Sequence, residues 1–216
     1  MAIKKMINIL IADDHAIVRE GLKQIVAEQK DMYVGGEAAN YTELFQLLLQ
    51  KNWNIIILDI HMPGKNGLEA LKDIRQQYPD LPVLILSMYS EEQYGLRSIK
   101  AGASGFLEKA SAPDELVKAI QKIIAGEKYI GPRLVEQMVK SLESNHKSQV
   151  HESLSDRELQ ILCLIASGKS AEDIAKELII SVHTVYSYRN RIFEKMKMKS
   201  NVELTQYAIQ NNLIKL

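Results

Sequence analysis

The sequence contains a single cysteine, Cys163, and lacks any long hydrophobic run. One cysteine forms neither an intramolecular disulfide nor a cysteine zinc site, which excludes the disulfide-rich secreted class. The longest uninterrupted apolar run, Ile161–Ala166, has six residues, whereas a membrane-spanning helix needs ~20. Met1–Met6 leads directly into strand-like sequence and leaves no room for a secretory signal. We therefore expect a soluble cytoplasmic protein without a membrane partner.

The chain also lacks net charge, because its 216 residues include 27 basic and 27 acidic side chains. Neutrality argues at first against a nucleic-acid partner, but the charges are unevenly distributed. Residues 1–130 carry a net charge of −2, whereas residues 183–199 carry +4, with His183 beside them. The length suggests one large or two modest domains. The charge pattern predicts a basic region confined to the C-terminal part.

Short β-rich runs alternate with amphipathic stretches from Ile7 to about Gly126. The predicted strands are Ile7–Ala12, Tyr33–Ala38, Ile55–Asp59, Val83–Met88 and Gly105–Lys109. The predicted helices between them cover residues 16–29, 41–51, 67–77, 91–101 and 113–125. Five strands alternating with five helices predict an α/β fold, a doubly wound five-stranded parallel sheet. We expect this first domain to span residues 1–130.

A change of sequence pattern follows residue 130. Residues 131–153 read as a linker that is partly helical, since Pro132–Glu143 has a helical pattern and 144–153 is polar. From Leu154 onward the hydrophobic period is 3.6 throughout, which predicts a small all-α domain over residues 154–216. Ser155 and Glu158 form a capping-box pattern. The short link Leu178–Ser181 between two predicted helices has the spacing of a helix-turn-helix.

Polar side chains end several predicted strands. Because ligands bind at the carboxyl ends of the strands in an open parallel sheet, these side chains are expected to converge; they are Asp13, Asp14, Asp59, Ser87 and Lys109. Three carboxylates require a cation, and hard oxygen ligands favour Mg²⁺. A carboxylate is also able to form an aspartyl phosphate. The alternative is that these are ordinary loop carboxylates, with Asp14 capping a helix. His15 is interpreted as a surface or helix-start residue rather than a metal ligand.

Four motifs identify the first domain with a known family. The segments "ILIADDHAIVREGL", "IIILDIHMPGKNGLEAL", "LILSMYS" and "AGASGFLEKASAPDELVKAI" resemble the receiver domain of two-component response regulators, with its flavodoxin-like sheet. The resemblance implies that Asp59 accepts a phosphoryl group from a sensor histidine kinase. It also implies that Ser87 and Lys109 bind the phosphoryl group, and that Ser87 and Phe106 act as switch residues.

The same resemblance implies a magnesium site. Asp14 would bind Mg²⁺ directly, and Asp13 mainly through water. Asp59 and the backbone carbonyl of His61 would complete the protein ligands.

The predicted third helix of the C-terminal domain has two faces. Val185, Ile192 and Met196 share the side that is predicted to face the core. The opposite face carries hydroxyl, amide and guanidinium groups that suit major-groove contacts. The whole segment resembles the LuxR-type helix-turn-helix of NarL/FixJ response regulators. The predicted DNA contacts are Ser181, His183, Thr184, Tyr186, Ser187, Asn190, Arg191 and Lys195.

In this family the fourth helix often supports dimerisation, and the candidate contact residues here are Val202, Thr205 and Gln206. Packing within the domain explains Val202 equally well. Together the two resemblances predict a DNA-binding response regulator that acts as a phosphorylation-dependent dimer on double-stranded promoter DNA.

Two other functions remain as alternatives. A Mg²⁺-dependent phosphohydrolase would use Asp59 or Asp13 as nucleophile, although haloacid-dehalogenase enzymes place D-x-D after the first strand, where this chain has adjacent Asp13 and Asp14. A pure binding module would use the first domain as a protein-interaction switch and the second only to dimerise.

Overall fold

Five short parallel strands form a single sheet in the order β2-β1-β3-β4-β5. Their bounds are β1 Ile7–Ala12, β2 Met32–Ala38, β3 Ile55–Asp59, β4 Val83–Ser87 and β5 Gly105–Glu108. The predicted doubly wound fold is confirmed, and each strand boundary agrees with the prediction within one residue. The strands β4 and β5 end one residue earlier than predicted, because their pairing stops where Ser87 meets Glu108.

Helices follow every strand of the sheet. They are α1 Ala16–Ala27, α2 Tyr41–Gln50, α3 Gly67–Gln77, α4 Leu96–Lys100 and α5 Ala112–Ile124. On one face of the sheet, Leu22 and Val26 of α1 join Leu116 and Ile120 of α5 in a buried cluster with strand residues. Strand side chains alternate between faces, so the remaining buried strand residues face the helices of the other layer. The residues of β3 and β4 are all buried, as expected for central parallel strands.

The region predicted as one helix over 91–101 is divided. A π-helical turn at Glu91–Gly95 precedes the short α4. Gly95 allows Leu134 to approach closely, since a Cβ at this glycine would lie 2.8 Å from Leu134 Cδ2. The hydrophobic pattern does not distinguish a π-helical turn from an α-helix, and such turns are frequent at functional sites.

The chain after α5 remains attached to the end of the sheet. Tyr129 donates its backbone N–H to Ser104 O at 3.0 Å and accepts from the N–H of Phe106 at 3.1 Å. Gly131 donates its N–H to Glu91 Oε1 at 3.1 Å. The helix α6 then spans Pro132–Leu142, and its Leu134 is fully buried. The beginning of the predicted linker is therefore anchored to β5 and to the π-helical turn.

The C-terminal part is helical, as predicted. Its helices are α7 Asp156–Ala166, α8 Ala171–Leu178, α9 Val182–Met196 and α10 Asn201–Gln210. Serine side chains cap all four N-termini, and Ser155 with Glu158 forms the predicted capping box. A 3₁₀ turn at Val150–Ser153 was not predicted. Its His151 is buried and lies 2.9 Å, Nδ1 to hydroxyl, from Tyr207 on α10, a contact between distant residues that local pattern does not reveal.

This computed structural model describes residues 6–142 and 149–214. The polar linker residues 143–148, and the ends of the chain that the predicted domains 1–130 and 154–216 include, lie outside the described residues. Two compact units divide between Met138 and Val139. Among the helices described, none is long and apolar enough to cross a membrane.

Candidate functional site

The first candidate site is a buried ion cluster at the carboxyl edge of the sheet. Lys109 Nζ lies 2.7 Å from Asp13 Oδ2 and 2.8 Å from Asp59 Oδ2. The side chains of both aspartates are 2% exposed and that of Lys109 is 6% exposed. β1, β3 and β5 bring these residues together, because all three strands are parallel and end at the same edge. One buried ammonium thus serves two buried carboxylates.

Asp14 and His15 extend this cluster toward solvent. The ligand atoms of Asp13, Asp14, His15 and Asp59 all lie within 4.8 Å of one another. His15 directly precedes α1 as its N-cap residue, in agreement with the helix-start interpretation. Its Nδ1 also lies 2.7 Å from Asp14 Oδ1, a contact that the sequence interpretation missed. Three carboxylates against one lysine leave excess negative charge, so the donor set suits a hard cation such as Mg²⁺.

The charge imbalance affects the acidity of Asp59. Burial raises the pKa of Asp59, and Asp13 raises it further, while Lys109 and the His61 backbone N–H lower it. The result is a pKa raised to about 6. Burial lowers the pKa of Lys109, but Asp59 and Asp13 outweigh that effect and hold it above its ordinary value. Lys109 therefore stays protonated, while Asp59 is an unusually basic carboxylate.

Ser87 and Phe106 are both completely buried beside this edge. Asp59 pairs with Leu86 on β4, and Ser87 is the next residue of that strand. Ser87 Oγ accepts the backbone N–H of Tyr89 at 3.1 Å. Phe106 lies inward in β5, where its N–H donates to Tyr129 O. Ser87 therefore directly follows the strand partner of Asp59, whereas Phe106 contacts the segment that leads into the linker.

Aromatic rings cover the loop after Asp59. The His61 ring lies 4.6 Å from the Tyr89 ring and 6.0 Å from the Tyr94 ring, centroid to centroid. Tyr94 is 1% exposed. Sequence reasoning selected His61 for its backbone carbonyl, and that role stays a prediction. The packing with Tyr94 was missed because Tyr94 belongs to the unpredicted π-helical turn.

Arg19 is a further residue beside the cluster that the sequence interpretation did not select. Its Nη1 donates to the backbone oxygen of Asp13 at 2.7 Å, and its Nε donates to Glu37 Oε2 at 3.2 Å. Lys23 Nζ contacts the other oxygen of Glu37 at 2.8 Å. The segment "HAIVREGL" gives an amphipathic pattern, but nothing local indicates that Arg19 turns toward Asp13.

The second candidate site is the helix α9. Val185, Ile192 and Met196 are at most 4% exposed, which confirms the predicted core side. Among the predicted DNA contacts, those that are exposed are Ser181, His183, Tyr186, Asn190, Arg191 and Lys195, while Thr184 and Ser187 are half-buried. α9 therefore presents a polar side to solvent beside its buried apolar side.

Several hydrogen bonds already occupy predicted contact residues of α9. Ser181 Oγ accepts the N–H of Thr184 at 3.0 Å and lies 2.8 Å from Thr184 Oγ1. Ser187 Oγ donates to His183 O at 3.0 Å. Lys195 Nζ lies 2.6 Å from Oε2 of the buried Glu158. This pairing directs the Lys195 ammonium toward α7, so a DNA-contacting role for Lys195 stays a prediction.

Arginine–aromatic contacts organise the outer side of α9. The Arg189 guanidinium carbon lies 5.1 Å from the Tyr186 ring centroid and 5.5 Å from that of Phe193. Arg191 lies 5.7 Å from the Tyr188 ring. A guanidinium this close to a ring centroid is attracted to the aromatic face, so both arginines are held against rings of their own helix. Arg189 was counted in the basic segment but not selected as a contact residue.

The residues predicted for dimerisation lie on α10. Val202 is 66% exposed, Gln206 is exposed and Thr205 is half-buried. Leu204 and Ala208, on the other side of the helix, are fully buried. Packing within the unit thus uses Leu204 and Ala208, while the exposed Val202 awaits a test of its dimerisation role.

Two family descriptions match the chain. "Response regulator receiver domain" matches residues 9–121, and "Bacterial regulatory proteins, luxR family" matches residues 152–208. The first match contains the ion cluster, and the second contains α7 to α9 and most of α10. The chain belongs to the response regulators with a LuxR-type DNA-binding domain. The family resemblance predicted from the motifs is confirmed.

Relatives of this response regulator match along almost its whole length. The oxygen regulatory protein NreC of Staphylococcus epidermidis is 38% identical, over 96% of this chain and 99% of NreC. The response regulator UvrY of Escherichia coli K12 is 36% identical, over 96% of each chain.

A solved structure is similar to this response regulator in fold as well as sequence. RcsB from Salmonella enterica serovar Typhimurium, bound to promoter rprA in the presence of the phosphomimetic BeF₃⁻, has a TM-score of 0.66 and 26% identity. The match covers 94% of this chain and 98% of RcsB. The chain is thus a response regulator homologous to proteins that bind promoters.

Proposed function

We propose that phosphorylation of Asp59 by a sensor histidine kinase controls dimerisation and promoter binding by this response regulator. The observation that carries the proposal is the buried cluster in which Lys109 contacts both Asp13 and Asp59. We propose the boundaries 1–130 for the receiver, 131–153 for the linker and 154–216 for the DNA-binding domain. The matches to residues 9–121 and 152–208 are consistent with that division.

The proposed chemistry begins with the Asp59 carboxylate. An oxygen of Asp59 attacks the phosphorus of a phosphohistidine, the P–N bond breaks, and the histidine imidazole leaves with the electron pair. The raised pKa of Asp59 makes it more nucleophilic than an ordinary carboxylate. The positive charge of Lys109 lowers that pKa enough to keep Asp59 mostly ionised near neutral pH. Lys109 and Ser87 would then bind the oxygens of the phosphoryl group.

Asp14, Asp59 and the carbonyl of His61 would hold Mg²⁺, with Asp13 acting mainly through water. When bound, Mg²⁺ supplies charge neutralisation for the incoming phosphoryl oxygens. The excess of carboxylates over ammonium groups in the cluster supports this assignment.

The attachment of the linker supports a route from Asp59 to the DNA-binding domain. Phosphorylation adds ~−1.5 to −2 charge, and Ser87 and Lys109 would rearrange around the new phosphoryl oxygens. Glu108, directly before Lys109, accepts the N–H of Glu91 at 3.2 Å, and Glu91 in turn accepts the N–H of Gly131. Movement of Lys109 or Ser87 would therefore strain the hydrogen bonds that hold the beginning of α6.

On DNA, α9 would be the recognition helix. We propose contacts through Ser181, His183, Thr184, Tyr186, Ser187, Asn190, Arg191 and Lys195. Residues 151–216 have a net charge of +1, so one copy should bind weakly. A dimer doubles the phosphate contacts and reads two half-sites, which supports dimerisation, through Val202, Thr205 and Gln206, as the controlled step.

The test treats the full chain with a small phosphodonor and Mg²⁺ and measures mass, oligomeric state and retention of duplex DNA. We expect a phosphoryl mass gain, a larger dimer fraction and stronger DNA retention for the original, and none of these changes for Asp59→Asn. An unchanged mass of the original would contradict the phosphoacceptor role.

Two controls distinguish the alternatives. Continuous turnover of a generic phosphoester, lost in Asp13→Ala, would favour a phosphohydrolase instead. Failure of the chain to enrich any fragment from random duplex DNA at low salt would favour a pure interaction module.

A further inference from the structure

We infer that Arg19 and Glu37 form a positioning pair that sets the orientation of the proposed Mg²⁺-binding loop, residues 13–15. The inference rests on the proposed function, since it concerns the same cluster. Neither residue contacts Asp59 or Lys109 in the described hydrogen bonds and ion pairs. Both act on the loop through its backbone, as the next paragraphs explain.

Arg19 and β2 hold both sides of Asp13. The N–H of Asp13 donates to Ala38 O at 3.0 Å, and the carbonyl of Asp13 accepts from Arg19 Nη1 at 2.7 Å. The N–H and C=O of one residue belong to the two peptide groups that flank it. Fixing both therefore restricts the backbone rotation that would swing the Asp13 carboxylate away from Lys109 and displace Asp14.

Glu37 fixes the guanidinium that makes this contact. Glu37 Oε2 accepts from Arg19 Nε at 3.2 Å, and Glu37 Oε1 contacts Lys23 Nζ at 2.8 Å. Hydrogen bonding from Lys23 is the largest influence and, with Arg19, holds the pKa of Glu37 below its ordinary range, against the effect of burial. The guanidinium is planar with N–H donors in a fixed fork, so anchoring Nε on Glu37 determines where Nη1 points.

The charge arrangement suits a metal-binding loop. Arg19 brings a positive charge to Asp13, but Glu37 neutralises it locally. The pair therefore orients the loop without opposing the arrival of a divalent cation. Partners that orient ligands without touching the metal commonly change metal affinity by ~10–100-fold when mutated.

A second explanation is that the pair only connects α1 to β2, since Arg19 lies on α1 and Glu37 on β2. This explanation predicts lower thermal stability with unchanged metal affinity. Metal affinity of the folded protein therefore separates positioning from simple attachment.

The experiment titrates Mg²⁺ into the full, unphosphorylated chain by calorimetry, with the thermal midpoint of each metal-free variant recorded. Arg19→Lys keeps the positive charge but loses the planar guanidinium with its several N–H donors. Glu37→Gln keeps an oxygen that accepts from Arg19 but loses the negative charge. We expect Arg19→Lys to weaken Mg²⁺ binding roughly tenfold and Glu37→Gln by a smaller factor. Lys23→Gln is the matched control, because Lys23 contacts Glu37 but not Asp13; it should bind Mg²⁺ within about twofold of the original.

Equal Mg²⁺ affinity in Arg19→Lys and the original would overturn the inference, and so would equal weakening in Lys23→Gln. If Arg19→Lys does not fold, the comparison of Glu37→Gln with Lys23→Gln decides the question. Different results would contradict the proposed function and the positioning role of Arg19. The proposed function fails if the original gains no phosphoryl mass, whereas the inference fails if the original is phosphorylated and Arg19→Lys binds Mg²⁺ normally.

Discussion

Each of the two units pairs a lysine with a buried carboxylate, and the two contacts differ in charge balance. In the receiver, Lys109 contacts both Asp13 and Asp59, and the pKa of Asp59 is raised to about 6. In the helical unit, Lys195 contacts Glu158 alone. Burial raises the pKa of Glu158, but hydrogen bonds from Lys195 and Ser155 outweigh it and leave the pKa below its ordinary value.

Charge balance distinguishes the proposed phosphorylation site from the ion pair of the helical unit. The helical pair is balanced, and Glu158 also accepts the N–H of Ser155 at 2.7 Å within the capping box. It therefore stabilises the unit without needing another ion. The receiver cluster has more carboxylate than ammonium, which destabilises the cluster by itself and supports the proposed Mg²⁺ binding and reaction at Asp59.

The largest expected effect comes from breaking the balanced pair. Lys195→Met leaves the buried Glu158 carboxylate with the Ser155 N–H but without an ammonium partner. This change should lower the free energy of unfolding of the helical unit by ~2–4 kcal/mol. Chemical unfolding followed by circular dichroism measures this loss. Fluorescence of Trp53, which is the only tryptophan and lies in the receiver, should show an unchanged transition.

The control for Lys195→Met removes both charges. The double variant Glu158→Gln with Lys195→Met should recover most of the stability, because no uncompensated charge remains. The lowered pKa of Glu158 means that the pair stabilises the fold above the ordinary Glu pKa of 4.5 and loses that contribution as pH falls below it. An equal deficit of Lys195→Met at pH 7 and at pH 3 would contradict the ion-pair explanation.

An intermediate effect of opposite sign is expected in the receiver. Asp59→Asn removes one of two repelling buried carboxylates, so without Mg²⁺ at pH 7 it should raise the free energy of unfolding by ~1–3 kcal/mol. Because the folded-state pKa of Asp59 is raised, the original is relatively most stable below pH 3.8 and loses stability as pH rises from 3.8 to about 6. The Trp53 fluorescence transition, measured at several pH values, reports this difference.

The advantage of Asp59→Asn should therefore grow between pH 4 and pH 7. Adding Mg²⁺ should reduce it, since a cation that binds the folded original more tightly stabilises the original more. A variant that is less stable than the original at pH 7 without metal would show that the receiver cluster is balanced after all.

The smallest effect is expected at an exposed pair. Lys169 and Glu177 form an ion pair in the helical unit with 40% of each side chain exposed. Water screens such a pair, so Lys169→Gln should change the free energy of unfolding by less than ~0.5 kcal/mol. The circular dichroism transition measures it. The two lysines are almost equally exposed, and only Glu158 is buried. A loss as large as that of Lys195→Met would therefore mean that burial of the carboxylate does not determine the strength of these contacts.

Much of the fold was predictable because its signals are local. Continuous apolar runs such as Ile55–Leu58 indicate buried parallel strands, and capping residues such as Ser155 and Ser181 mark helix ends. The cluster of Asp13, Asp59 and Lys109 was also predictable, since parallel strands bring their carboxyl ends to one edge. The π-helical turn at Glu91–Gly95 was not, because its hydrophobic pattern resembles that of an α-helix.

Contacts between distant residues were the main omission. The pairing of Lys195 with Glu158 joins residues 37 positions apart, and the sequence alone suggested that Lys195 faces DNA. Arg19 on Asp13 and Glu37, and His151 on Tyr207, were missed for the same reason. A flexible polar side chain has several partners within reach, and the choice among them depends on packing.

The sequence by itself determined the succession of strands and helices along the chain, the family, and the group of residues that meets at the sheet edge. The helices and strands follow from the hydrophobic period and the capping residues, which are properties of neighbouring residues. The meeting of polar residues at one edge follows from the parallel sheet that this alternation predicts. Only the tertiary structure decided that Lys109 is shared between two carboxylates whereas Lys195 serves one. The balance of a buried site depends on which charges lie within a few ångströms, and that distance is set by the packing of elements far apart in the chain.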